Sequence, residues 1–292
     1  MHVTLSKNIS YCFGVKRTLT LVEELLRDNP DKTYYMLGEI VHNEYVINDL
    51  KTRGLRIVHD LDSIESGASI IIQSHGAPKK LVDSLRARGL DVIDATCPMV
   101  TVIHKKIVRL DQKGYSPVII GKKGHDEVRG IAGQVDKALI VRSTAEITPE
   151  LFKGIDRAGI VVQSTFIRTE AAAIVEKIEG IVREVKFIDT ICRPTTERQD
   201  EVENIPAEVD YILIIGSQTS ANTRHLFKLA SGREATVYLV DDPETVRDLE
   251  ILPDSHVFVA SGASTPLYLI ERVVALMESK KSRGMERDGH DG

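Results

Sequence analysis

The sequence points to an α/β protein made of three similar lobes with mostly parallel sheets. Two observations carry that expectation. Short runs rich in Ile and Val end in Gly/Ser/His loops and alternate with helical patterns, as the strands of parallel sheets do. The same landmarks also recur three times in the same order, the mark of a repeated architecture.

The first landmark is a strand that ends in glycine: Tyr34-Tyr35-Met36-Leu37-Gly38, Val118-Ile119-Ile120-Gly121 and Ile212-Leu213-Ile214-Ile215-Gly216. The second is a strand that ends in serine: Ile70 to Ser74, Ile160 to Ser164 and Val257 to Ser261. The third is a cysteine: Cys12, Cys97 and Cys192. Each glycine lies about 25 residues after its cysteine and each serine about 65, a spacing that chance does not repeat three times.

Helical patterns follow each cysteine, over Gly14 to Arg27, Pro98 to Gln112 and Pro194 to Asn204. Pro98 suits a first helical position. Strands precede the later two cysteines, and both carry Asp-x-x-Cys, at Asp94 and Asp189. Each unit then reads cysteine, helix, strand, loop, helix, strand, strand, loop, helix, strand. The third unit runs out after its last helix, Leu267 to Ser279, so residues 2–5 are expected to supply its missing strand. The expected lobes are 6–96, 97–191 and 192–292, the last completed by strand 2–5. The tail from Lys280 onward is charged and Gly-containing, and is expected to fray.

Composition narrows the function. Of the 292 residues, 42% are hydrophobic and 28% charged, ordinary values for a globular protein. A net charge of −5 argues against nucleic acid or an anionic membrane as the main partner. No apolar run reaches the length of a membrane span, and the N-terminus lacks a signal-peptide pattern, so a cytoplasmic location is expected. An odd, scattered set of 3 cysteines fits a disulfide framework badly.

In open α/β sheets, ligands bind at the carboxyl ends of strands. There the repeat places polar residues at matching offsets. His42, His125 and Ser220 follow the glycines by one interval, and Glu44, Glu127 and Asn222 by the next. Near the serines stand His75, the pair Ser164-Thr165, and Ser264. A lone cysteine is most simply a buried small residue, and a lone loop histidine a surface or capping group. Recurrence in register reverses that judgement. Three thiolates at helix N-termini are placed to bind metal. A cubane iron–sulfur cluster with three cysteine ligands keeps one iron open, whereas a zinc site built from cysteines more often shows close pairs. Ser220-Ala221-Asn222 also resembles an ordinary N-cap, which is itself an anion site. These donors suit a diphosphate or carboxylate. No P-loop or GxGxxG motif indicates a nucleotide.

The residues resemble the 4-hydroxy-3-methylbut-2-enyl diphosphate reductase (LytB) family over almost the whole chain. The matching stretches are Tyr11-Cys12-Phe13-Gly14-Val15, Gly38 to Asn43, Asp94-Ala95-Thr96-Cys97-Pro98, Gly124-His125-Asp126-Glu127-Val128, Asp189 to Cys192, Arg198-Gln199 and Gly262-Ala263-Ser264. The resemblance implies three α/β lobes around one 4Fe–4S cluster held by Cys12, Cys97 and Cys192. It implies that His42, His75, Ser220, Asn222 and Ser264 hold the substrate diphosphate, and that His125 lies near the hydroxyl end. Glu127 matches the proton donor. Ser164-Thr165 falls where the family usually has Thr-Thr, the first of which belongs to the hydroxyl relay; Ala221 replaces a residue that is often Ser. The implied chemistry is reductive dehydroxylation to isopentenyl and dimethylallyl diphosphate in the methylerythritol phosphate route. A ferredoxin- or flavodoxin-like partner would supply electrons, and the chain would act as a monomer or weak dimer. A quinolinate-synthase-like dehydratase and an iron–sulfur redox sensor are the competing expectations. The loop motifs favour the reductase over both.

Overall fold

Uninterrupted apolar runs form the inner strands of parallel sheets, because helices cover both faces. The computed structural model describes residues 1–40, 43–58, 60–61 and 64–288 and folds the runs this way. After β1 (His2–Leu5) and α1 (Phe13–Asp28), the first lobe runs β2 (Tyr34–Leu37), α2 (Glu44–Thr52), β3 (Leu55–Val58), β4 (Ser69–Ile72), α3 (Lys79–Ala87) and β5 (Asp91–Asp94). The second runs α4 (Pro98–Gln112), β6 (Ser116–Ile120), α5 (Asp126–Ala132), β7 (Leu139–Val141), β8 (Arg157–Val162), α6 (Arg168–Glu179) and β9 (Glu184–Phe187). The third runs α7 (Arg193–Glu203), β10 (Tyr211–Ile215), α8 (Ala221–Ala230), β11 (Thr236–Val240), β12 (His256–Ser261) and α9 (Leu267–Asp288). Helix α9 continues beyond the expected end at Ser279, so residues read as a frayed tail extend it.

Each lobe carries a four-stranded, wholly parallel sheet, ordered β3-β2-β4-β5, β7-β6-β8-β9 and β11-β10-β12-β1. The pattern is the same three times, with β1 in the fourth place of the third sheet. Its register sets His2 beside His256 and Leu5 beside Val259. Inner strands β4, β8 and β12 are buried almost end to end, whereas the fourth strands β5, β9 and β1 expose their first and last residues. Burying one such Ile or Val side chain contributes about 1.5–3 kcal/mol, so these inner strands dominate each core.

The chain forms two compact units, Gly14–Cys192 and Met1–Phe13 together with the chain from Arg193 onward. In the first, Val118, Ile120, Ile160 and Val162 pack with Ile174 and Ile178 of α6 on one face of the second sheet. Ile119 and Val161 point to the opposite face and meet Ile103 and Ile107 of α4. In the second unit, Leu213, Ile215, Val257 and Val259 pack against Ile270 and Val273 of α9.

In each sheet the chain leaves its first strand toward one side and its third toward the other. That reversal opens a crevice at the carboxyl ends of these two strands, the place where open α/β sheets bind ligands. The loops concerned follow β2 and β4, β6 and β8, and β10 and β12. One register of the repeat needs correction. Leu37 pairs with Ile72, Ile120 with Val162, and Ile215 with Ser261. Ser261 is therefore the last strand residue, and the counterpart of Ser74 and Ser164 is Ala263.

Candidate active site

The cysteines show the repeat most clearly. Each lies between a fourth strand and a helix, and its backbone N–H donates to the loop after the neighbouring third strand. Cys97 N–H reaches the Ser74 carbonyl at 2.9 Å, Cys192 that of Ser164 at 2.9 Å, and Cys12 that of Ala263 at 3.0 Å. Cys97 and Cys192 are thus tied to the sheet that precedes each in sequence, and Cys12 to the third sheet, in which β1 precedes it. The shared aspartates explain the approach: Asp94 accepts from Thr96 N–H and Asp189 from Ile191 N–H, each at 2.9 Å, turning the chain ahead of the thiol. None of the three cysteines is in a disulfide, and all are partly exposed.

In the unit Gly14–Cys192, most expected site residues join one continuous path. Ser74 is followed by His75, whose ring meets that of His125 edge-on, with centroids 5.5 Å apart. His125 caps α5, its Nδ1 accepting from Glu127 N–H at 3.2 Å. The carboxylate of Glu127 accepts from the Ser164 backbone N–H at 2.6 Å and from its hydroxyl at 2.7 Å. The Ser164 carbonyl then holds Cys192. Glu127 is buried, and burial pushes its carboxyl above the usual carboxylate range while the two Ser164 donors pull it back. Thr165 is partly buried, and its hydroxyl accepts from Gln163 Nε2 at 3.0 Å.

His104 on α4 stands apart from these groups. Burial lowers its pKa to about 4 against the opposing pull of Asp94, so it is neutral and packs beneath the Gly76 turn.

In the other unit, Ser220 caps α8 by accepting from Thr223 N–H at 3.4 Å. Asn222 is 4% exposed, and among the described residues neither its amide oxygen nor its amide nitrogen has a hydrogen-bond partner. A buried amide left unmatched costs about 1–3 kcal/mol, which makes it a candidate contact for a ligand. Ser264 is partly buried and directly follows the Ala263 carbonyl that holds Cys12. The loop ahead of Cys12 is gripped by α7. Glu201 accepts from Lys7 N–H at 2.8 Å and Asn8 N–H at 3.2 Å, and Arg198 donates to the Ser10 carbonyl at 2.7 Å. Ser10 has φ +67°, a left-handed conformation unusual for a serine.

His42 lies outside the described residues. Arg198 matched the family pattern without a role; its part in holding Ser10 became visible only in the fold. Gln73 and Gln163 were overlooked, although both occupy the position after the third strand of their lobes. Among the described residues no three His, Cys, Asp or Glu side chains are gathered to hold a single metal ion. The donor set itself, three thiols outside any disulfide and each fixed through its backbone at a helix mouth, fits the ligands of an iron–sulfur cluster.

Three identical parallel-sheet topologies, polar side chains at their switch points and a thiol after every fourth strand define a three-lobed α/β enzyme. More narrowly, the family model described as LytB protein matches residues 3–278, and the chain belongs to that family, which implies an iron–sulfur cofactor. The chain is 35% identical over 295 residues to the 4-hydroxy-3-methylbut-2-enyl diphosphate reductase of Thermoanaerobacter sp. (strain X514), covering 100% of this chain and 99% of that protein. The Aquifex aeolicus protein of the same name is 36% identical, with 93% and 94% covered. Among solved structures, (E)-4-hydroxy-3-methyl-but-2-enyl diphosphate reductase, the terminal enzyme of the non-mevalonate pathway, matches with TM-score 0.70 and 35% identity, covering 96% of this chain and 100% of that one. The Plasmodium falciparum E-1-hydroxy-2-methyl-but-2-enyl-4-diphosphate reductase matches with TM-score 0.84 and 27% identity, over 94% and 87%. Among the described residues no helix is long and apolar enough to cross a membrane.

Proposed function

We propose that this chain reduces 4-hydroxy-3-methylbut-2-enyl diphosphate, removing its hydroxyl to give isopentenyl and dimethylallyl diphosphate. The observation that carries this reading is the double role of Ser164. Its hydroxyl and N–H hold the buried acid Glu127, while its carbonyl holds the thiol-bearing Cys192. A proton donor and a metal ligand are thereby fixed on one residue.

Cys12, Cys97 and Cys192 would be the ligands of one 4Fe–4S cluster. When bound, such a cluster supplies electrons one at a time and keeps an iron open to substrate. The protein side chains do the rest. Replacing C–OH by C–H consumes two electrons and two protons and releases water. Glu127, whose neutral form burial favours, would supply a proton to the departing oxygen, with Ser164 as the relay hydroxyl. The second proton goes to either end of the allylic system, which yields the two isomers. His42, His75, Ser220, Asn222 and Ser264 would bind the diphosphate, Thr165 would contact the substrate, and His125 would face the hydroxyl end. The unmatched Asn222 amide supports that assignment. Electrons would come from a ferredoxin- or flavodoxin-like donor in the cytoplasm, to a monomer or weak dimer.

The test is an anaerobic assay with the hydroxylated diphosphate and reduced viologen, run beside iron and sulfide analysis. Viologen oxidation with release of both isomers is expected. A cluster-loaded sample that leaves the viologen reduced would remove the reading.

A further inference from the structure

A buried amide links the His75 loop of the first lobe to the helix that carries Glu127 in the second. Gln73 is 3% exposed. Its Oε1 meets Nδ1 of His75, and its Nε2 donates to Oδ2 of Asp126 at 3.0 Å. Asp126 is the first residue of α5, between the cap His125 and Glu127. Its other oxygen faces Arg129 at 3.7 Å. Gly38 leaves the room: it has φ +72°, and a Cβ there would lie 3.0 Å from Gln73 Nε2 and 3.5 Å from Asp126 Oδ2.

The polarity of this bridge follows from its ends. An ionised carboxylate only accepts hydrogen bonds, so the amide must turn its NH₂ toward Asp126 and its oxygen toward His75. An oxygen there can only accept, so the proton of neutral His75 sits on Nδ1 and Nε2 is left as an acceptor. His125 has the opposite arrangement, since its Nδ1 accepts from Glu127 N–H and its own proton must sit on Nε2. The two touching rings are thus held in complementary tautomers.

We propose that Gln73 is a positioning residue of the substrate site, which sets the tautomer and direction of His75 through Asp126 and ties the His75 loop to the first turn of α5. When His75 takes up a proton beside an anionic substrate, that proton enters at Nε2, on the side of the ring away from Gln73. The proposal rests on the reductase reading for the identity of that anion, and on the geometry alone for the tautomer.

The experiment combines binding of inorganic pyrophosphate, KM and kcat for the hydroxylated diphosphate, and nitrogen NMR of the histidine rings, all on the cluster-loaded protein. Gln73→Leu removes both ends of the bridge. It is expected to abolish the Nδ1–H preference of His75 and to weaken pyrophosphate binding and raise KM by about tenfold, with kcat changed less, the scale on which a supporting hydrogen bond tunes the group it orients. Gln73→Glu sets two carboxylates face to face and is expected to lose as much. Adding Asp126→Asn puts an amide donor back opposite the new carboxylate at position 73, and should return Kd and KM to within about threefold of the parent by coupling of the pair. A residue that merely filled space would show no such rescue. An Nδ1–H preference unchanged in Gln73→Leu, or a Gln73→Glu defect that Asp126→Asn does not relieve, would overturn the proposal. A parent protein that failed to reduce substrate would remove the reductase reading instead, and the ring spectra of parent and Gln73→Leu would still decide the bridge.

Discussion

Glu127 in the first turn of α5 and Ser164 in the loop after β8 meet through two hydrogen bonds of 2.6 and 2.7 Å to one buried carboxylate. One bond comes from the backbone and the other from the hydroxyl, so the carboxylate stays fixed while the hydroxyl remains able to rotate. Burial favours the neutral form of Glu127 and raises its pKa, and the two donors oppose that shift.

A pH profile reads this balance. A buried acid with a raised pKa favours the neutral folded state, so its contribution to stability is present at low pH and lost as pH rises through the folded pKa. Ser164→Ala removes one of the donors that favour the ionised form. The basic limb of kcat against pH is expected to move to higher pH, and a limb that stays in place or moves lower would contradict the assignment. Glu127→Gln should lower kcat by about 10²–10⁴, the usual worth of a positioned acid, while pyrophosphate binding stays near that of the parent. At alkaline pH this variant should melt no lower than the parent, because it no longer buries a charge.

Iron content tests the thiols. Cys97→Ser keeps the backbone bond to Ser74 but replaces a soft ligand with a hard one. It should reconstitute with markedly less iron and sulfide while melting close to the parent as apoprotein. Full iron retention would show Cys97 to be structural.

The loop before Cys12 depends on Arg198, which is 4% exposed and donates to the carbonyls of Pro194 at 3.0 Å and Ser10 at 2.7 Å. Arg198→Met leaves both carbonyls without that donor. A loss of about 2 kcal/mol is expected, the scale of a hydrogen bond to a charged group. Chemical denaturation measures it, and iron analysis should show weaker cluster retention because Cys12 sits at the end of the freed loop. Unchanged stability together with unchanged iron would refute the clamp.

Close packing at Gly262 offers a compensating pair. A Cβ at this position would come within 2.1 Å of Thr223 Oγ1 on α8, a buried hydroxyl with no hydrogen-bond partner among the described residues. Gly262→Ala should cost about 1–3 kcal/mol by overpacking and weaken pyrophosphate binding by shifting the turn that holds Asn222. Thr223→Ala in the same chain removes the clashing atom and should restore most of both losses. Melting temperature and pyrophosphate affinity measured on the two single variants and the double variant check this.

The three lobes were legible because their signals are local. A buried parallel strand shows itself as an unbroken apolar run, and a glycine or cysteine recurring at one spacing needs no knowledge of the partners across space. Strand 2–5 was placed in the third lobe by elimination, since that lobe lacked its fourth strand. The serine series failed at its third member for an equally physical reason. Ala260 stands before its serine where the counterparts have Gln73 and Gln163, so the apolar pattern and the strand run on through Ser261, and Ala263 occupies the turn position through a carbonyl that any residue could supply.

By itself, the sequence determined the α/β lobes, the cysteine in each repeat and the polar residues at the strand ends, because periodicity and spacing are properties of the chain. Only the tertiary structure decided which sheet each thiol is tied to, that Ser164 serves both Glu127 and Cys192, that α7 grips the loop before Cys12, and that Gln73 reaches Asp126. Each of these is a hydrogen bond between residues far apart in sequence, from |i−j| of 23 for Cys97 and Ser74 to 251 for Cys12 and Ala263. Such partners are selected by the packing of the sheets and helices that carry them, and no local pattern of residue types specifies them.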